Sequence, residues 1–195
     1  MSTSRTGRTR TSILDAARAL IEADPHAWTM EDIAVAAGVT RMTVYRYFHS
    51  RTDLLVETVQ HVDEVEGAVR RFEPVYELAT GIETLDAWIR IWADYIPHIA
   101  PMARALLSAR SHDEAAAKAW DDRMTALRRG PATIAERLER DGTLAPDLTA
   151  EAAADLIWAI GSFQVWEALT GDRGWSPNEY QEHLRATLCR ALTEP

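Results

Sequence analysis

Residues 29–55 read TMEDIAVAAGVTRMTVYRYFHSRTDLL. Ile33, Ala36 and Ala37 recur at helical spacing, which predicts a short helix over 30–37. Gly38 follows, where a tight turn needs a residue that tolerates positive φ. A second short helix is predicted over 40–48. Two short helices joined by a glycine turn make a helix-turn-helix unit, whose second helix enters the DNA major groove.

The second helix sorts its residues by face. At helical spacing Val44 and Phe48 point one way and can pack on Ile33, Ala37 and Val39. The opposite arc carries Met42, Thr43 and Arg46, flanked by Tyr45 and Tyr47, with no acidic residue. A guanidinium, a hydroxyl, two phenols and a thioether within two turns suit phosphate oxygens and base edges. The competing reading is the solvated face of a small helix pair.

Thr29, Ile33, Ala34, Ala37, Gly38, Val39, Thr40, Thr43, Tyr45, Tyr47, Phe48, Ser50, Arg51 and Leu54-Leu55, in that register, resemble the DNA-binding segment of TetR-family regulators. The departures are mild. Met42 stands where the family often has a small residue, His49 where Pro or Gly is common, and Arg51 where Lys is usual. The resemblance implies an all-α fold: an N-terminal three-helix helix-turn-helix domain joined by a long connector helix to a helical ligand-binding and dimerisation domain. It also implies DNA contacts. Thr29, Thr40, Thr43, Tyr47 and Arg51 are expected on phosphates, and Arg41, Met42, Tyr45 and Arg46 on bases.

Charge supports this division. The chain of 195 residues carries a net −9. Residues 1–51 hold seven arginines and five acids, a balance of +2, while residues 52–195 balance at −11. An acidic body behind a basic head favours one docking orientation on a polyanion. Arg5, Arg8 and Arg10 lie near the start with no acid among them. The expected organisation is a flexible basic arm over 1–8, the DNA-binding domain over 9–55 and the body over 56–195. A single cysteine, Cys189, excludes an intrachain disulfide, and no apolar run reaches the ~18 residues of a membrane helix, so a cytoplasmic protein is expected.

A first helix is predicted over 9–23, with Ser12 and Asp15 as a capping box. Thr29 and Asp32 cap the next helix, and Ser50 and Asp53 open a connector running over 51–72. The body reads as helices only. The predicted spans are 80–95, a short helix over 101–110 after a break at Pro97 and Pro101, and a long helix capped by Ser111 and Glu114 and interrupted at Gly130-Pro131. A largely buried helix over 149–169 follows, and Ser176-Pro177-Asn178-Glu179 opens the last one.

The last two helices carry surplus apolar surface. Leu156, Ile160, Phe163, Tyr180, Leu184 and Leu188 are the candidate seam of a homodimer, in line with the family's usual interface. Trp88, Trp92, Tyr95, Met102, Trp120, Met124, Trp158 and Trp166 are candidates for a pocket holding a small apolar or aromatic effector, although each also suits an ordinary core. No nucleophile elbow, phosphate-binding glycine loop, C-x-x-C or H-E-x-x-H occurs, so neither an enzyme nor a cofactor or metal is expected. The reading is a sequence-specific DNA-binding regulator, a ligand-released repressor acting as a homodimer on a near-palindromic operator. The alternative is a helical ligand- or protein-binding dimer without operator recognition.

Overall fold

A computed structural model describes residues 5–193. Among these residues there are helices and no strand; one isolated antiparallel bridge joins Leu144 and Thr193. The helices are α1 (Arg5–Ala23), α2 (Met30–Ala36), α3 (Arg41–Tyr47), α4 (Arg51–Glu66), α5 (Ala68–Phe72), α6 (Gly81–Ala109), α7 (Glu114–Leu127), α8 (Arg129–Arg140), α9 (Ala150–Ile160), α10 (Phe163–Glu167) and α11 (Pro177–Leu192). A 3₁₀ turn over Glu73–Glu77 follows α5. No described helix is long and apolar enough to cross a membrane.

The chain forms two compact units. The first comprises Met1–Glu66 with Ile99–Asp122, and the second Gly67–His98 with Arg123–Pro195. In the first, α1 packs on α2 and α4 and α2 packs on α3, with Ile13, Leu14, Ala17, Ile21, Ile33, Ala34, Val44, Phe48, Leu54, Leu55 and Val62 as core residues. All are buried. The α1–α4 pairing is reinforced by ion pairs of Arg10 with Glu57 and Arg18 with Glu66 at 2.7 Å, and by a hydrogen bond between His61 Nε2 and Asp15 Oδ1 at 2.7 Å. Arg10 also lies over the Phe48 ring, 5.6 Å from its centroid.

The first helix begins earlier than expected. It is already helical at Arg5, so Ser12 and Asp15 lie inside it rather than at its start. Residues 5–8 of the expected flexible arm are therefore helical. The rest of that arm, 1–4, lies outside the described residues. The connector is shorter than expected. It ends at Glu66 because Gly67 adopts a left-handed φ of 69°. A left-handed residue cannot continue a right-handed helix.

Helix α6, whose residues to His98 belong to the second unit and from Ile99 to the first, runs unbroken for 29 residues through Pro97 and Pro101, where a break was predicted. Each proline removes one backbone donor. The helix persists because its flanking residues are pinned: Ile96, Ile99, Ala100, Met102 and Ala103 are all buried. The interruption expected near Gly130-Pro131 occurs at Arg128, which separates α7 from α8 and places Pro131 in the first turn, where its missing N–H is not needed. Asp113, not Ser111, caps α7: its Oδ1 accepts from the amides of Ala115 and Ala116 at 2.9 and 3.2 Å.

The helix predicted over 149–169 is broken after Ile160. Ser162 starts α10 as its N-cap, and the Trp88 ring packs on Gly161, where a Cβ would stand 3.0 Å from the indole. Trp88 is gripped at its other end too, since a Cβ on Gly130 would meet its Nε1 at 3.3 Å. The caps expected at Thr29 and Ser176 are present as full capping boxes with Asp32 and Glu179, and Thr80 and Thr149 cap α6 and α9. Arg137 on α8 forks onto the carbonyls of Tyr76 and Leu78, which fastens the chain entering α6.

Gly81 at the start of α6 touches the α8 backbone. A Cβ there would stand 2.6 Å from the amide nitrogen of Leu138, and backbone cannot move aside as a side chain can. Gly81→Ala is expected to destabilise the protein by about 1–3 kcal/mol, read as a lowered urea midpoint with an unchanged slope.

Candidate nucleic-acid interface and effector site

The turn between α2 and α3 is built by Gly38 at φ 66° and by the Val39 amide donating to the Ala34 carbonyl at 2.9 Å. Thr40 then caps α3: its Oγ1 accepts from the Thr43 amide at 3.2 Å and lies 2.9 Å from Thr43 Oγ1. Val44 and Phe48 are buried at 0% and 2% exposure, which turns the opposite side of α3 outward. Met42 is 83% exposed and Tyr45 39%, and Thr29, Thr40, Arg41, Arg46 and Arg51 are exposed, while Thr43 and Tyr47 are half-buried. Every residue assigned to DNA from the sequence thus keeps surface toward solvent.

Aromatic rings place the cations of this surface. The guanidinium of Arg41 lies over the Tyr45 ring at 5.4 Å, and that of Arg46 over the Tyr47 ring at 5.5 Å. Arg51 stacks on Trp28 at 4.0 Å from the ring centroid and donates to the His26 carbonyl at 3.3 Å. Trp28 is 3% exposed and belongs to the core of this unit. Its second role, as a platform for Arg51, depends on a contact between residues 23 apart and has no local sequence signal. Glu31 also escaped the sequence reading. It stands on α2 with its carboxylate 3.8 Å from Arg41, so the face is not wholly free of acid.

Beside Arg51 lies a cleft of about 300 Å³ lined in part by His26, Trp28, Thr52, His112 and Asp113. The Thr52 hydroxyl donates to Asp113 Oδ2 at 2.6 Å. The carboxylate that caps α7 thereby also holds the first turn of α4, the turn that carries Arg51. The Thr52 hydroxyl and the α7 amides together keep the Asp113 carboxyl below the ordinary carboxylate range.

Residues 13–58 match the family model described as bacterial regulatory proteins, tetR family. The chain is 48% identical over 68 residues to the HTH-type transcriptional repressor LfrR of Mycolicibacterium smegmatis, a match spanning 34% of this chain and 35% of that protein. Solved structures extend the likeness over the whole length. A TetR-family transcriptional regulator from Agrobacterium tumefaciens shares 22% identity at a TM-score of 0.76, covering 97% of this chain and 100% of its own. A Saccharomonospora viridis protein in complex with choline shares 19% identity at a TM-score of 0.83, covering 96% and 99%. NalD of Pseudomonas aeruginosa, the secondary repressor of the MexAB-OprM multidrug efflux pump, shares 23% identity at a TM-score of 0.65, covering 98% of both chains. Residues 13–58 are thus similar to the TetR-family DNA-binding segment, and the chain as a whole shares the fold of the solved regulators.

The eight residues proposed for a pocket are divided between the two units. Met102 and Trp120 belong to the first unit, where both are buried and Trp120 carries Arg110 over its ring at 5.8 Å. In the second unit Trp158 faces Arg128 at 5.1 Å, Trp166 packs on Phe163 at 5.9 Å, and Met124 is half-buried. Within the second unit Trp88, Trp92 and Tyr95 cluster. Trp88 and Trp92 stack at 5.7 Å with planes 7° apart, and Tyr95 lies 6.3 Å from Trp92. Phe72, absent from the sequence list, joins all three. Trp92 Nε1 and Tyr180 Oη lie beside each other, both buried without a well-aligned hydrogen-bond partner. Burial holds the Tyr180 phenol well above its ordinary range, against a smaller opposing effect of Trp92.

The proposed seam residues are also partly used within the chain. Tyr180, Leu184 and Leu188 are buried at 1%, 4% and 0%, and Phe163 at 8%, whereas Leu156 and Ile160 are half-buried. Tyr180, Leu184 and Leu188 thus anchor α11 to its own protomer.

Asp113→Ala removes the α7 cap and the Thr52 acceptor, and is expected to cost about 1 kcal/mol at neutral pH. Because the folded-state pKa is lowered, this contribution is complete above the ordinary carboxylate range and disappears as pH falls through the lowered value. Urea titrations of the native protein and the variant at stepped pH should therefore converge in acid.

Proposed function

We propose that this chain is a homodimeric, sequence-specific DNA-binding transcription regulator that works in the cytoplasm as a repressor released by a small effector. The observation that carries the reading is the outward face of α3. Met42, Tyr45 and Arg46 project from a capped helix whose opposite side, Val44 and Phe48, is locked in the core. Arg41, Met42, Tyr45 and Arg46 read base edges, while Thr29, Thr40, Thr43, Tyr47 and Arg51 sit on phosphates. On this reading residues 9–55 act as the reading head and 56–195 as the effector and dimer body. The repressor sign is supported by the printed roles of LfrR and NalD, and a small organic effector by the choline held by the S. viridis protein.

The dimer seam is assigned to α9–α11. Leu156 and Ile160 keep surface there, and the exposed side of α11 carries Ala186, Thr187 and Ala191, small enough for a second copy to approach closely. The buried Tyr180, Leu184 and Leu188 support that surface from beneath. Two reading heads then engage half-sites ~34–36 Å apart, and the effector favours a head separation that fails to match.

Selection from a random duplex library should recover an inverted repeat. Sequence-indifferent binding by a folded dimer would instead favour a ligand- or protein-binding dimer without operator recognition. On the recovered operator, Arg46→Ala is expected to lose ~1–3 kcal/mol and relax preference at one base position. Arg51→Ala should weaken specific and random DNA alike and flatten the salt dependence. Equal losses on both DNAs for both variants would defeat that division of roles.

A further inference from the structure

The ring cluster of the second unit is assembled from two elements of unequal security. Trp88, Trp92 and Tyr95 lie along one face of the 29-residue α6, and each is at most 6% exposed. Trp88 is clamped between Gly130 and Gly161. Phe72 comes from α5, a five-residue helix with no buried residue, and is itself only half-buried. Its ring centroid lies 6.5, 6.4 and 5.9 Å from Trp88, Trp92 and Tyr95, meeting Tyr95 edge-on at 86°. One loosely held ring thus covers three firmly held ones.

The segment bearing Phe72 is built to move. Upstream, Gly67 in the left-handed conformation ends α4, a junction at which backbone torsion changes at little steric cost. Downstream, the Arg137 fork on Tyr76 and Leu78 fixes the chain before α6. Between these points the segment is fastened by the Phe72 ring, by the buried Val75 and by the Arg71 guanidinium, which bonds Asp94 at 2.9 Å and stands over Tyr95 at 5.9 Å. Asp94 is 68% exposed, so that pair is a weak clasp.

Beside the rings, two polar atoms are left over. Trp92 Nε1 and Tyr180 Oη are buried without a well-aligned partner, an arrangement that folding disfavours. An indole N–H only donates, and a phenol can donate, so an acceptor brought to them would satisfy both.

We propose that the Trp88–Trp92–Tyr95 face of α6 is the seat of a planar aromatic ligand carrying a hydrogen-bond acceptor, and that Phe72 fills this seat until the ligand displaces it. The inference rests on reading the body as effector-responsive, and it names the effector's chemical class and the side chain it replaces. The ligand ring stacks where Phe72 stood, and its acceptor reaches Trp92 Nε1–H and the Tyr180 hydroxyl. Displacing Phe72 swings α5 about Gly67. The Arg71 cation beside Tyr95 disfavours a positively charged ligand at the same ring.

The test uses quinoline, a bicyclic ring with an acceptor nitrogen, with naphthalene as the ring lacking an acceptor and choline as the non-aromatic cation. Binding is followed by tryptophan fluorescence of the full chain. Phe72→Ala is expected to bind quinoline at least tenfold more tightly than the native protein, because no ring has to leave. Tyr180→Phe should weaken quinoline severalfold and leave naphthalene unchanged. In the native protein, quinoline should accelerate hydrogen exchange over 68–78, a readout that does not depend on any variant folding. Equal quinoline affinity of the native protein and Phe72→Ala would overturn the proposal, as would quinoline binding with unchanged exchange over 68–78, or choline binding where quinoline does not. Operator selection is performed without ligand. An operator recovered alongside failed quinoline tests removes only the seat, and a seat without an operator removes only the regulator reading.

Discussion

The burial of two side chains, Val44 and Phe48, is the contact on which the reading head depends. A helix of seven residues is far below the length at which an isolated helix is stable in water, ~12–15 residues. Local propensity therefore cannot hold α3, and its Thr40 cap contributes only a part. What holds it is the removal of Val44 and Phe48 from water against α1, α2 and α4. The same contact sets the rotation of the helix. With one side committed to the core, Met42, Tyr45 and Arg46 can only face outward.

Around that contact the structure repeatedly pairs a charge with a ring. Arg51 on Trp28, Arg41 on Tyr45 and Arg46 on Tyr47 are held by stacking rather than by full salt bridges. A ring attracts the cation without neutralising it, so the guanidinium remains available to an incoming phosphate or base. Arg10 and Arg18 of α1 are instead paired closely with Glu57 and Glu66 of α4, whereas Arg41 has the Glu31 carboxylate only at 3.8 Å. Structural and candidate DNA-facing arginines are thus distinguished by partner. Asp113 adds a mechanical link, since one carboxylate starts α7 and grips Thr52 next to Arg51.

The second unit is organised by close approach. Gly81 lets α6 touch the α8 backbone, and Gly130 and Gly161 admit the Trp88 ring. These contacts explain why the aromatic residues of the body do not pool into one group. Trp88 is spent between two glycines, Trp158 and Trp166 pair with Arg128 and Phe163, and the remaining ring face is covered by Phe72. Burial here comes from shape, and shape is not carried by composition.

How much was legible follows from the range of the interactions involved. Caps at Thr29 and Ser176, the glycine turn at Gly38 and the inward side of α3 act over three or four residues, and the sequence by itself determined them, together with the helical class and the outward arc of α3. The unbroken passage of α6 through Pro97 and Pro101, the stop of α4 at Gly67 and the break at Gly161 were decided only by tertiary structure. In each case packing from distant residues, or a backbone conformation open to any glycine, overrode the local signal. The same holds for Trp28 beneath Arg51, for Phe72 over α6 and for the burial of Tyr180, Leu184 and Leu188 within their own chain. These depend on which faces meet after folding, and side-chain burial against a distant helix leaves no mark at the spacing of neighbouring residues.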